Sequence, residues 1–188
     1  MLSTFRMRCA IAAAFVLALT TPNVANAAAP ASSSQQLAPF AWLAGGAWRA
    51  DTSTLPGGLK YIETRYDVAP NGRIIRFTTA FVNGDGSIGN GYAGNLYFDP
   101  AGGALKMWYV DSKNAVTQGP VTGDGAAWHM AFQSDGAVIG RPGPVDFRVD
   151  VTRETNDAYA WGLFAHVGDA WKPVFSLRYV RTPDRTAG

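Results

Sequence analysis

Pro144-Val145-Asp146-Phe147-Arg148-Val149-Asp150-Val151-Thr152-Arg153-Glu154 is the stretch whose reading decides the fold class. Val145, Phe147, Val149 and Val151 alternate with Asp146, Arg148 and Asp150. A period of two places the apolar set on one face of an extended strand and the charges on the other. The stretch is bounded by Gly140-Arg141-Pro142-Gly143-Pro144 on one side and Thr155-Asn156-Asp157 on the other. Gly, Asn and Asp tolerate positive φ and Pro holds φ negative, so such clusters reverse the chain.

The same grammar extends in both directions. Turn clusters recur at Pro56-Gly57-Gly58, Pro70-Asn71-Gly72, Asn83-Gly84-Asp85-Gly86, Pro100-Ala101-Gly102-Gly103, Gly123-Asp124-Gly125, Ser134-Asp135-Gly136 and Gly168-Asp169. Between them lie runs rich in aromatic and β-branched residues, and from Trp42 onward none shows an apolar period of helical length. The spacing predicts strands near 44–51, 58–68, 73–83, 90–98, 104–111, 114–121, 126–133, 145–154, 158–167 and 171–181. Consecutive strands joined by tight turns form a meander, and a meander of many twisted strands closes to remove its edges. The expected fold is therefore all-β, an antiparallel up-and-down barrel of about 8 to 10 strands. A two-sheet sandwich is the alternative, without a visible long crossover to favour it.

The first 27 residues read differently. Arg6 and Arg8 precede an apolar run from Ala10 to Leu19, followed by polar residues and Ala25-Asn26-Ala27. That order is the one found in secretory signal peptides, and the run is too short for a permanent membrane anchor. The expected division is a signal peptide at 1–27, a flexible Ala-, Ser- and Gln-rich leader at 28–36, the barrel at 37–183 and a tail at 184–188, with a short helical turn over Leu37 to Leu43. The expected location is periplasmic or secreted, with no integral membrane span once the first segment is removed.

Of 16 basic and 14 acidic residues, the first segment holds two basic and no acidic ones, so the remainder is formally neutral. A neutral chain with scattered signs carries no footprint for nucleic acid or an anionic membrane surface. The one cysteine, Cys9, lies in the same segment, so no disulfide or thiolate site is expected beyond it. Six Trp, seven Tyr and ten Phe supply core area and are also the rings that line ligand pockets.

The segment Phe40-Ala41-Trp42-Leu43-Ala44-Gly45-Gly46-Ala47-Trp48-Arg49 resembles the opening strand of bacterial lipocalin-like domains, and Gly46-Ala47-Trp48 matches the Gly-x-Trp signature of the calycin group. The resemblance implies a barrel closed at one end by Trp48, with an Arg of the last strand packed across the ring. Arg178, or failing that Arg181, is the implied partner. It further implies an interior pocket, without naming the ligand.

The expected ligand is a small apolar or aromatic molecule, held by rings drawn from Tyr92, Tyr97, Trp108, Tyr109, Trp128, Trp161 and Phe164. Four polar residues are candidates for chemistry: His129, His166, Glu63 and Arg65. A His on a strand has a plain role, exposed or hydrogen-bonded, beside the alternatives of general base or axial haem ligand. Glu63 and Arg65 are either a cross-strand ion pair on a wet face or, if their face is internal, a buried pair able to orient a polar group. No His-x-His or His-x3-His spacing, nucleophile elbow, phosphate loop or dinucleotide fingerprint is present, so no metal and no cofactor are expected. The first functional expectation is a binding protein. A cofactor-independent lyase or isomerase and a packed interaction module are the alternatives.

Overall fold

Ten strands follow one another in the order anticipated: β1 (Ala47–Asp51), β2 (Leu59–Val68), β3 (Ile74–Asn83), β4 (Ile88–Asp99), β5 (Ala104–Asp111), β6 (Val116–Gly123), β7 (Ala127–Asp135), β8 (Pro144–Arg153), β9 (Ala158–Val167) and β10 (Ala170–Thr182). These come from a computed structural model that describes residues 32–183 except 54 and 56. The expected signal peptide and tail lie outside the described residues.

Each strand pairs antiparallel with its sequence neighbour, and β1 pairs with both β2 and β10, closing the barrel. Closure removes every edge, so the backbone donors and acceptors of the wall are met within the ladder. The sandwich alternative is thereby excluded. The ladder is shortest between β6 and β7, with three registers from Val121↔Met130 to Gly123↔Trp128.

Period-two alternation then decides which side chains meet inside. On β8, Phe147 and Val151 are buried while Asp150 and Arg148 pair on the outside, with Nε 2.8 Å from the carboxylate. Registers carry the same assignment around the wall: Phe147 opposes Phe132 on β7, Met107 opposes Leu96 on β4, and Leu177 opposes Trp161 on β9.

Ahead of the barrel, the segment expected as a flexible leader contributes a helix, α1 (Ser33–Leu37), continued by a 3-10 turn over Ala38–Leu43. Ser32 and Gln35 form a reciprocal capping box, which satisfies otherwise orphan N–H groups and lets so short a helix start. Its hold on the barrel is apolar: Leu37, Phe40 and Leu43 are all buried. Burying rings and aliphatic chains of this size stabilises by about 1.5–3 kcal/mol each. Among the described residues no helix is long and apolar enough to cross a membrane.

Candidate functional site

One end of the barrel is sealed. Trp48 is fully buried, and its indole N–H donates to the carbonyl of Leu43 at 2.6 Å. Trp42 packs edge-on against Trp48 and Tyr159, with centroids 5.6 and 5.7 Å apart, and donates its own N–H to the carbonyl of Gly125 at 2.8 Å. Gly125 has φ +87, and a Cβ there would fall 2.5 Å from the Pro39 carbonyl oxygen. The plug therefore seats only against a glycine.

The arginine across Trp48 is Arg181. Its guanidinium lies 4.2 Å from the Trp48 ring and donates to the carbonyls of Trp42, Ala44 and Gly45. Asp157 pairs with it at 3.2 Å. Arg178, the first choice from the resemblance, instead faces outward and bonds Glu154 at 2.7 Å. The reason is parity: on β10 the inward set is Leu177, Tyr179 and Arg181, and an even-numbered neighbour cannot join it. Gly46 completes the closure with φ +100, where a Cβ would press within 3.2 Å of the Thr182 carbonyl oxygen. A shallow hollow outside this end is lined by the same closure residues, Gly45, Gly46, Asp157 and Arg181 among them.

Above the seal the interior opens into a cavity of about 420 Å³. Trp128 and Met130 lie low in it, and Trp128 is backed by Phe40 from the plug at 6.0 Å. Phe77, Phe81, Tyr66, Tyr92, Met107 and Tyr109 line it from β2 to β5; Phe132, Phe147, Val149, Trp161, Leu163 and Phe175 line it from β7 to β10. Val138, on the 3-10 turn Gly136–Ile139 between β7 and β8, lines it while remaining largely exposed, which places the mouth at that end. No Lys, Arg, His, Asp or Glu lines the cavity among the described residues.

Its polar groups are hydroxyls. Thr64 and Thr79 are hydrogen-bonded to each other at 2.9 Å, and Thr79 lines the cavity beside Tyr92. Tyr66, Tyr92 and Tyr109 contribute phenols to the lining, and Ser134 a further hydroxyl. Burial in apolar surroundings disfavours a phenolate, so the Tyr66 hydroxyl is pushed up to about 12 and those of Tyr92, Tyr109, Tyr159 and Tyr179 are raised by the same cause. All five phenols keep their protons at ordinary pH. The indole N–H of Trp128 is also buried and has no hydrogen-bond partner.

Of the rings expected to hold a ligand, Tyr92, Tyr109, Trp128 and Trp161 line the cavity. Tyr97, Trp108 and Phe164 do not. They stand on the outer face, Trp108 next to inward Tyr109 and Phe164 next to inward Leu163, and neighbours along a strand cannot both enter the barrel. The polar candidates are outside as well. His129 is exposed and hydrogen-bonded to Thr122 at 2.6 Å. His166 is exposed and packs edge-on against Trp171 at 5.1 Å. Glu63 bridges Arg49, directly across on β1, at 2.6 Å and Arg65 at 3.0 Å, forming a cross-strand ion cluster on the outer wall.

Tyr66, Phe77, Phe81, Met107, Met130, Phe132 and Phe175 also line the cavity, beyond the residues expected from the sequence. Parity offered the signal: Ile62, Thr64 and Tyr66 share one face of β2, and Phe77, Thr79 and Phe81 one face of β3. Among the described residues no group of three or more His, Cys, Asp or Glu side chains is placed to hold a metal ion. No protein-family model matches the chain, and no curated protein sequence shows significant similarity to it. What the geometry defines is a closed ten-stranded antiparallel β-barrel, sealed at one end, with an uncharged aromatic cavity open toward the other.

Proposed function

We propose that this chain is an exported small-molecule-binding protein, periplasmic or secreted, that holds a hydrophobic or aromatic ligand inside a lipocalin-like barrel. The observation that carries the reading is the cavity, whose volume and mostly aromatic lining are those of pockets for compact organic ligands. Export is supported by the signal-peptide order of residues 1–27, and a place among the calycins by the Trp48 and Arg181 closure. The alternative, a cofactor-independent lyase or isomerase, has none of its candidate groups His129, His166, Glu63 and Arg65 among the cavity lining.

The test is titration with 1,6-diphenylhexatriene, a fluorescent hydrocarbon without polar atoms. Trp128 and Trp161 line the cavity, so binding there produces saturable energy transfer from tryptophan to the probe. Trp161→Ala should enlarge the cavity and weaken the probe's hold, whereas Trp108→Ala on the outer wall should leave binding unchanged. Absence of any saturable signal refutes the reading.

A further inference from the structure

The apolar surface that the barrel leaves in solvent is concentrated at one end. Ile88, Val116 and Val138 are 70%, 65% and 62% exposed, whereas no other large apolar side chain among the described residues exceeds 41%. Ile88 opens β4, Val116 opens β6 and Val138 lies on the 3-10 turn between β7 and β8, so the three belong to the hairpins β3–β4, β5–β6 and β7–β8. Alternate hairpins of an up-and-down barrel share an end. The intervening hairpins lie at the seal, where Gly125 of β6–β7 accepts from Trp42 and Asp157 of β8–β9 pairs with Arg181. Ile88, Val116 and Val138 therefore stand at the opposite end, where Val138 also lines the cavity.

What covers these side chains is set by area and charge. Each partner of a stable protein pair contributes about 800 Å² from about 20–30 residues, and three apolar side chains on separate hairpins supply a small part of that. A fluid apolar phase needs no matched surface, because it closes around each side chain on its own. Trp171, on the fourth hairpin of this end, is 37% exposed and is the residue type that settles at the level of lipid headgroups. The four hairpins carry Asp85, Asp111, Asp135 and Asp169 beside Lys113, Arg141 and Lys172, so they hold no excess of positive charge for anionic headgroups. An apolar molecule suited to the uncharged cavity also leaves water for a bilayer. The end that meets lipid is then the end that meets the ligand.

We propose that Ile88, Val116 and Val138 dock the open end of the barrel on a zwitterionic lipid surface, and, resting on the ligand-binding reading, that the ligand passes between bilayer and cavity during that contact. The sealed end, with Trp48 and Arg181, faces away from the lipid. Three short side chains give a shallow and reversible contact rather than an anchor.

The test follows 1,6-diphenylhexatriene leaving the protein for vesicles of dioleoylphosphatidylcholine, read by stopped flow as loss of energy transfer from tryptophan. Transfer by contact should quicken in proportion to vesicle concentration, and replacing part of the lipid by dioleoylphosphatidylglycerol should alter the rate by less than about twofold. The double variant Ile88→Ser, Val116→Ser should transfer about tenfold more slowly, the loss expected when one or two methyl groups no longer enter lipid, with the probe's affinity in vesicle-free buffer unchanged. Val180→Ser, exposed on the last strand toward the seal, should transfer at the wild-type rate. A rate independent of vesicle concentration means that the probe crosses through water, and overturns docking while leaving ligand binding intact. A vesicle-dependent rate that the double variant does not slow overturns the assignment to these residues, as does a wild-type dimer in sedimentation that the double variant dissolves. Failure of the probe to bind in vesicle-free buffer refutes ligand binding and transfer with it. Docking is then decided by flotation with the same vesicles: co-flotation lost in the double variant supports it, and no co-flotation of the wild type overturns it.

Discussion

Raising the pH should unfold this barrel through its interior phenols. Five of the seven tyrosines, Tyr66, Tyr92, Tyr109, Tyr159 and Tyr179, point inward, and burial raises the pKa of each. A group whose pKa is higher folded than unfolded contributes stability that is whole below the unfolded value and is lost as pH climbs through the folded one. For Tyr66 that window runs from 10.0 to about 12. Within it, each phenol that the fold keeps neutral lowers stability by about 1.4 kcal/mol per pH unit. Tyr159 and Tyr179 are 1% and 3% exposed, so they feel this in full. Together with Tyr66 they remove about 4 kcal/mol one pH unit above the unfolded value, and Tyr92 and Tyr109 add to it. A domain of this size has about 5–15 kcal/mol in total. Phenolate absorbance near 295 nm, recorded with circular dichroism on the same samples, should show the interior tyrosines ionising in step with loss of the barrel. Ionisation of all the phenols with the barrel signal intact would refute the reasoning, because it would mean that water and hydroxide reach the interior without unfolding.

Other outcomes follow from the closure and the outer wall. Arg181→Ala removes both the stack on Trp48 and the carbonyl contacts, and should cost about 2–4 kcal/mol in urea unfolding, whereas Arg178→Ala breaks one exposed ion pair and should cost less than about 1 kcal/mol. Gly125→Ala meets both a positive φ and the Pro39 carbonyl, so its thermal midpoint should fall by an amount equivalent to about 1–3 kcal/mol. His129→Ala and His166→Ala stand on the outer wall and should leave affinity for 1,6-diphenylhexatriene within twofold of wild type, which a probe titration checks.

Much of the architecture is legible in the amino-acid sequence. The turn clusters of Gly, Pro, Asn and Asp are local instructions, and they mark all ten strands to within a few residues, because positive φ and a fixed proline φ act where they stand. The alternation from Val145 to Val151 likewise names the face that enters the barrel, since the strand period is a property of the backbone. The capping box at Ser32 and Gln35 was also present to be read, but its helix is too short to hold by itself and depends on burial of Leu37 and Phe40 in a barrel assembled from distant residues.

What only the tertiary structure decided is which groups meet. Strands rich in aromatics on both faces, such as Leu105, Met107 and Tyr109 against Lys106, Trp108 and Val110, carry no local mark of inside and outside; closure and register made that choice. The same choice placed Glu63 beside Arg49 on the outer wall and Arg181 rather than Arg178 across Trp48. Above all it gathered Tyr66, Tyr92 and Trp128, from three strands spread over more than sixty residues of chain, around one uncharged space. A strand's period is written in consecutive residues, but a cavity's chemistry is a sum over strands, and that sum exists only once the barrel has closed.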